Sequence, residues 1–273
     1  VERKFSLAPQ FHCPKTPAGA GQDEEFMTYC VGILVRDGLV MLADTRTNAG
    51  LDNIATYRKL HLYETEGERV IAIATAGNLA VSQSVLNVMT EGLENPETGK
   101  IETIHTIPSM FKVAQFVGRA IREVYRIHGK SMEQQAASFD VTMLLAGQVK
   151  GGRLRLFMVY SAGNFIEATT DTPYLQIGEH KYGKPILDRA VTADTSISEA
   201  LKLGLISMDS TLRSNLGVGM PIDIAVIRRD GLKFEVSHRI DDNDAYFAGL
   251  REHWSAALRD AHQSIPNPPY GET

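Results

Sequence analysis

Cysteine is scarce in this 273-residue chain: there are two, Cys13 and Cys30, in no Cys-x-x-Cys pair. That scarcity excludes a disulfide framework. The eight histidines form no cluster and no His-Glu-x-x-His pairing, so no zinc site is indicated. His61 and His105 read as packing or surface residues, and Trp254, the single tryptophan, as a packing residue of a terminal helix. Basic charge is lacking too. Lys and Arg number 28 against 33 Asp and Glu, a net charge of −5, which leaves no basic face for nucleic acid or an anionic membrane. No apolar run approaches the roughly 20 residues of a membrane span. A secretory signal is missing as well, because residues 1–26 interleave charges, prolines and glycines where such a signal needs an unbroken apolar stretch. A cytoplasmic location is the expectation. His128-Gly-Lys-Ser131 has Val124 where a P-loop needs its first glycine, and Gly217-Val-Gly219 lacks the rest of a dinucleotide fingerprint. Neither ATP nor NAD is indicated, and no cofactor or metal is expected.

What is present is enough apolar residue, 43% of the chain, for a substantial core. No extended linker divides it. Residues 1–27 lack periodicity and carry Pro14, Pro17, Gly19, Gly21 and an acidic triplet, as a flexible extension would. They read as a propeptide, a tag or a misassigned start, and the leading Val1 favours a misassigned or artificial one. Residues 28–262 form the expected folded domain and 263–273 a Pro-rich tail. Within the domain, 28–35 and 39–44 read as a hairpin whose Asp37-Gly38 turn supplies positive φ. A second hairpin is expected over 57–62 and 70–74. Val81, Val85 and Val88 recur at helical spacing. Pro108 suits the first turn of a longer helix whose apolar face, Met110, Val113, Val117, Ala120 and Val124, ends before Gly129. Strands are expected over 141–146, 154–160 and 165–168. A further helix pair follows, one member opened by the capping box Ser196-Ile-Ser-Glu199, with Ile197, Leu201, Leu205, Met208 and Leu212 on one face. A last hairpin joins 223–228 to 233–236 through Asp230-Gly231, and 244–259 is a terminal helix. Antiparallel sheets covered by helix pairs fit this order better than right-handed βαβ units, which places the chain in the α+β class.

One residue carries the chemistry. Cleavage after Met27 would leave Thr28 as the first residue, with a hydroxyl nucleophile and an α-amine on the same residue. An amine of unperturbed pKa about 8 can act as the general base for its own hydroxyl. Asp44 and Lys59 follow downstream on the next expected strands.

The order of Thr28, Gly-Leu-Val-Met-Leu-Ala-Asp44-Thr-Arg, Lys59, Thr75-Ala-Gly77-Asn, Ile177-Gly178-Glu179 and Pro221-Ile-Asp223-Ile-Ala-Val-Ile resembles proteasome β subunits and HslV peptidase over residues 28–232. Gly178-Glu-His-Lys-Tyr-Gly-Lys-Pro-Ile-Leu-Asp-Arg189 and Ser207-Met-Asp-Ser-Thr-Leu-Arg-Ser-Asn215 look like the bacterial homologues called Anbu, the ancestral β subunits. The resemblance implies the N-terminal-nucleophile hydrolase fold, a four-layer αββα sandwich, and a threonine-type peptidase. It implies Thr28 as nucleophile, Lys59 as a cation lowering the pKa of the amine, Asp44 as the group holding Lys59, and Gly77 as oxyanion donor, glycine because a side chain would crowd the substrate. It also implies self-assembly into a ring or ring-derived helical homo-oligomer, with the helix of Met110, Val113 and Val117 facing neighbours. Proteasome subunits carry a serine where this chain has Gly178-Glu179, and an Asp-x-x-Ser near residues 215–218. Glu179 is expected to interact with the amine, and Ser214 and Asn215 to replace the missing partners. Two other readings share the fold: a proteasome-like scaffold with little peptidase activity, and an amidase or amide-forming enzyme acting on small molecules.

Overall fold

The computed structural model of the chain describes residues 28–48 and 54–270. The expected extension 1–27, with Cys13, and the last three residues of the expected tail lie outside the described residues. The first hairpin is formed by β1 (Tyr29–Val35) and β2 (Gly38–Asp44). Two short strands, β3 (Arg46–Asn48) and β4 (Ile54–Thr56), pair with each other before the second hairpin, β5 (Leu60–Thr65) and β6 (Arg69–Gly77). Helix α1 (Leu79–Glu91) is joined by the two-residue strands β7 (Leu93–Glu94) and β8 (Ile101–Glu102) to α2 (Met110–Gln134). Then come β9 (Val141–Val149), β10 (Arg155–Val159), β11 (Phe165–Glu167) and β12 (Tyr174–Gly178). Helices α3 (Lys184–Ala190) and α4 (Ile197–Ser214) precede β13 (Ile222–Arg228), β14 (Phe234–Ile240) and α5 (Ala245–Ser264).

Two five-stranded antiparallel sheets result, ordered β12-β1-β2-β13-β14 and β11-β10-β9-β6-β5. Alternation along each strand builds the layers. From β1, Cys30 faces the second sheet with Met41, Ala72, Leu144 and Leu156, while Tyr29, Val31 and Ile33 face Leu187, Leu205 and Met208 on the helical side. On the outer face of the second sheet, Ile71, Ile73 and Leu145 meet Val85 and Met89 of α1 and Val113, Phe116 and Val117 of α2. This is the αββα sandwich. Strands such as β2 are buried on both faces and therefore read as continuous apolar runs. Among the described residues no helix is long and apolar enough to cross a membrane.

Several local expectations change. Pro108 lies ahead of the helix that Ser109 caps, and α2 runs past Gly129, because a helical glycine costs about 1 kcal/mol but breaks no hydrogen bond. Met110, Val113 and Val117, 0–2% exposed, are the face by which α2 covers the chain's own core. In the first turn neither Asp37 nor Gly38 has positive φ; Gly38 is required for space, since a Cβ there would lie 2.5 Å from the Ile227 carbonyl oxygen. In the last hairpin the positive φ falls on Asp230 and Leu232 rather than Gly231.

Candidate active site

Strand register gathers the expected residues at one end of the sandwich. Tyr29 lies opposite Gly178, Cys30 opposite Ala43, and Asp44 opposite Ile222, so the start of β1 meets the ends of β2 and β12 and the start of β13. Across the interface, Leu60 lies opposite Ala74, placing Lys59 beside the end of β6. The Thr75 amide donates to the Lys59 carbonyl at 3.1 Å, and the Cys30 thiol approaches the Thr75 carbonyl at 3.8 Å. These contacts join the two sheets at the site.

Asp44 is its centre. The side chain is fully buried, and each oxygen accepts twice. Oδ1 takes the Tyr29 amide at 3.0 Å and Lys59 Nζ at 2.8 Å. Oδ2 takes the amides of Arg46 and Gly219, both at 3.2 Å. Lys59 Nζ also donates to the Arg46 carbonyl at 2.6 Å, and Lys59 is only 5% exposed. One carboxylate oxygen thus ties the ammonium to the peptide bond that follows Thr28, which is itself 9% exposed. Burial pushes the Asp44 carboxyl above the ordinary carboxylate range, and the Lys59 ammonium with the Tyr29 and Gly219 amides opposes that rise. Burial, reinforced by the Asp44 charge, also pushes the Cys30 thiol well up, so this cysteine beside Thr28 stays protonated.

Gly77 has φ +99, and a Cβ there would lie 2.5 Å from the Asp140 carbonyl oxygen of the adjoining chain. That approach by itself requires glycine at 77. Successive N–H groups along a strand point to opposite sides. Thr75 donates towards Lys59 and Asn78 towards Asp140, so the Gly77 N–H faces the same side as Thr75, beyond Lys59.

Gly178 has φ +78 and a Cβ there would fall 2.0 Å from the Thr28 carbonyl oxygen, which accepts the Glu179 amide at 2.7 Å. The Glu179 carboxylate is buried. Its Oε1 accepts the Lys181 amide at 2.9 Å and its Oε2 accepts Asn215 Nδ2 at 3.2 Å. Asn215 therefore joins the expected cluster through Glu179, and its Oδ1 takes the Gly217 amide at 2.8 Å. Ser214 does not join. It is exposed as the last residue of α4, whereas Asn215, the C-cap, is buried, and it makes none of these hydrogen bonds.

Four contributors escaped the sequence reading. Arg46 gives both an amide and a carbonyl to the Asp44–Lys59 pair, and its guanidinium donates to the Leu216 carbonyl at 2.9 Å. Gly219 lies so close to that guanidinium that a Cβ would sit 2.1 Å from Nε, which explains the glycine in a segment legible only as a failed nucleotide motif. Thr45 ties the same loop through its hydroxyl to the Pro221 carbonyl at 2.7 Å. Tyr29 anchors the start of β1 beneath Thr28, its hydroxyl paired with Ser207 Oγ at 2.6 Å and receiving Gln176 Nε2. Backbone donors have no side-chain signature; only the Asp44-Thr-Arg motif hinted at Thr45 and Arg46.

The sequence profile of the proteasome subunit family matches residues 27–227. The chain belongs to the proteasome subunit family, in its Anbu branch. Anbu from Hyphomicrobium sp. strain MC1 is 48% identical, with a TM-score of 0.80 over 88% of this chain and 99% of that one. The Anbu complex of Pseudomonas aeruginosa, solved as a helical assembly, is 45% identical, with a TM-score of 0.82 over 90% of this chain and all of that one. Among proteasome β subunits, subunit beta 1 of Pyrobaculum arsenaticum is 25% identical over 211 residues, 76% of this chain and 93% of that protein.

Proposed function

We propose that this chain is a threonine-type amide hydrolase acting on peptides, with Thr28 as N-terminal nucleophile, in a self-assembled helical or ring-like particle. The observation that carries the reading is the sharing of Asp44 Oδ1 between Lys59 Nζ and the Tyr29 amide, because it fixes a cation beside a threonine that opens the first strand. The Thr28 α-amine takes the proton from Oγ, Oγ adds to the substrate carbonyl, and the Gly77 N–H donates to the oxyanion. Collapse of the adduct returns that proton to the leaving amine, and water then cleaves the ester. Lys59 disfavours protonation of the α-amine and so keeps the base available. Asp44 holds Lys59 and the start of β1 in one geometry. The helical particle follows the Pseudomonas aeruginosa relative, which shares the fold along its whole length.

Glu179 favours a second reading, a particle of low peptidase activity. A buried carboxylate adjoining Thr28 favours the protonated, non-basic amine. A peptide epoxyketone distinguishes the two. Protein whose mass starts at Thr28 should form a cyclic adduct through both Oγ and the α-amine, at a rate that climbs with pH through the pKa of the amine. Thr28→Ala should abolish the adduct and Lys59→Met should slow its formation. An assembled, correctly trimmed protein that stays unlabelled at every pH would establish the low-activity particle instead.

A further inference from the structure

Helices α4 and α5 carry an open groove of about 500 Å³, lined by Ile206, Tyr246, Leu250 and Trp254 with Lys202 and His253 beside them. Gly249 faces open space: a Cβ there would meet nothing within 4 Å. The terminal segment has matching chemistry. After α5 the chain leaves in an extended conformation at Ile265, φ −80 and ψ 127, and continues as Ile265-Pro-Asn-Pro-Pro-Tyr270, with Ile265 67% and Tyr270 82% exposed. Proline-rich segments in the polyproline II conformation dock into aromatic-lined grooves at low entropic cost. At about 3.1 Å per residue, residues 265–270 span roughly 19 Å. The groove follows α5 from Ala245 to Ala257, and at about 1.5 Å per residue this is roughly 18 Å.

We propose that the α4–α5 groove receives residues 265–270 of a second copy of this chain. The chain's own residues 265–270 cannot run the length of its own groove: Ala245 lies 19 helical residues, roughly 28 Å, from Ser264, beyond their reach of roughly 19 Å, and three prolines stiffen the segment against reversal. A tail of one copy in the groove of the next is a head-to-tail contact, and repeating it without closure generates an open helix. The proposal rests on the self-assembly reading and adds its contact.

Trp254, the single tryptophan, lies in the groove and reports on it directly. The test compares the full chain, a chain ending at Ser264, and Gly249→Leu, which fills the groove at a position with room for the side chain. Light scattering and tryptophan emission are followed with concentration, and a synthetic peptide of residues 265–273 is added to the shortened chain. The shortened chain should form smaller particles, and the peptide should shift Trp254 emission to shorter wavelength with saturation. Gly249→Leu, its fold checked by circular dichroism, should reduce the particle size and weaken peptide binding at least about tenfold, or 1.4 kcal/mol. Full chain that assembles normally, with assembly unchanged by shortening and Trp254 silent to the peptide, overturns this contact and leaves self-assembly standing. Emission that changes on shortening equally at all concentrations, with particle size constant, assigns the groove to the chain's own tail and overturns the second-copy occupant. A full chain that is monomeric throughout removes the assembly reading itself, and the proposal with it.

Discussion

Replacing Asp44 with asparagine preserves shape but removes the charge and half the acceptor capacity of a side chain to which four donors point. Asn presents one carbonyl oxygen and one NH2 group, so in either orientation two donors face two N–H bonds. With the oxygen turned to Tyr29 and Lys59, the amides of Arg46 and Gly219 are left unsatisfied in a buried site, at about 1–3 kcal/mol each. With the oxygen turned the other way, the Tyr29 amide and the Lys59 ammonium lose their acceptor. Both orientations leave Lys59, 5% exposed, without its counter-charge, a loss that costs about 3–5 kcal/mol in a buried pair. The expected destabilisation is at least that amount. At about 2–4 °C per kcal/mol for a domain of this size, the thermal midpoint should fall by roughly 6–20 °C. The assay is thermal unfolding at matched protein concentration, beside Lys59→Met and the double variant. Because the double variant removes both charges, its cost should be below the sum of the singles by about 0.5–3 kcal/mol. An Asp44→Asn midpoint within about 3 °C of the parent, or strictly additive costs, would show that the pair is not the buried centre described here.

Two further outcomes follow from the neighbours of Thr28. Gly178→Ala forces a Cβ to within 2.0 Å of the Thr28 carbonyl oxygen at φ +78, so it should cost at least about 1–3 kcal/mol and slow epoxyketone labelling through displacement of Thr28. Unchanged melting and labelling would contradict the close approach. Glu179→Gln keeps a side-chain oxygen for Asn215 but removes the negative charge, which lowers the pKa of the Thr28 amine, and the pH midpoint of labelling should move down. A midpoint that stays put would remove Glu179 from the electrostatics of the amine.

How much of this was legible in sequence depended on what kind of signal each part leaves. Hairpins and long helices were visible because turn residues and 3.6-residue spacing are local: β1–β2, β13–β14, the Ser196 capping box and the apolar face of α4 lie close to their expected places. Strand β12 escaped as a strand since Tyr174-Leu-Gln-Ile-Gly178 is short and lies at a sheet edge, where pairing with β1 rather than its own pattern defines it. The two-residue strands β7 and β8 are too short to show a period. At the site, Thr28, Asp44 and Lys59 gained meaning only from their order beside the other motifs. The Glu179–Asn215 contact spans 36 residues, and Ser214 and Asn215 are neighbours in sequence separated by a helix end, so sequence could not choose between them.

The two charged partners of Thr28 explain why one site supports two readings. Asp44 and Lys59 form a neutral pair, and their mutual hydrogen bonds direct the ammonium towards the start of β1 without adding net charge. Glu179 adds a buried carboxylate whose hydrogen-bond donors, Asn215 Nδ2 and the Lys181 backbone amide, are themselves uncharged groups. In the low-activity reading that buried carboxylate favours a proton on the Thr28 amine. The resting site in that reading holds an ammonium whose hydroxyl lacks a base, whereas in the hydrolase reading Lys59 keeps the amine neutral. Whatever supplies positive charge near Glu179, or removes its negative charge, converts that arrangement into the neutral-amine form that Lys59 supports. The two readings therefore separate on the charge of one buried carboxylate, Glu179, which Glu179→Gln removes while leaving the Asp44–Lys59 pair in place.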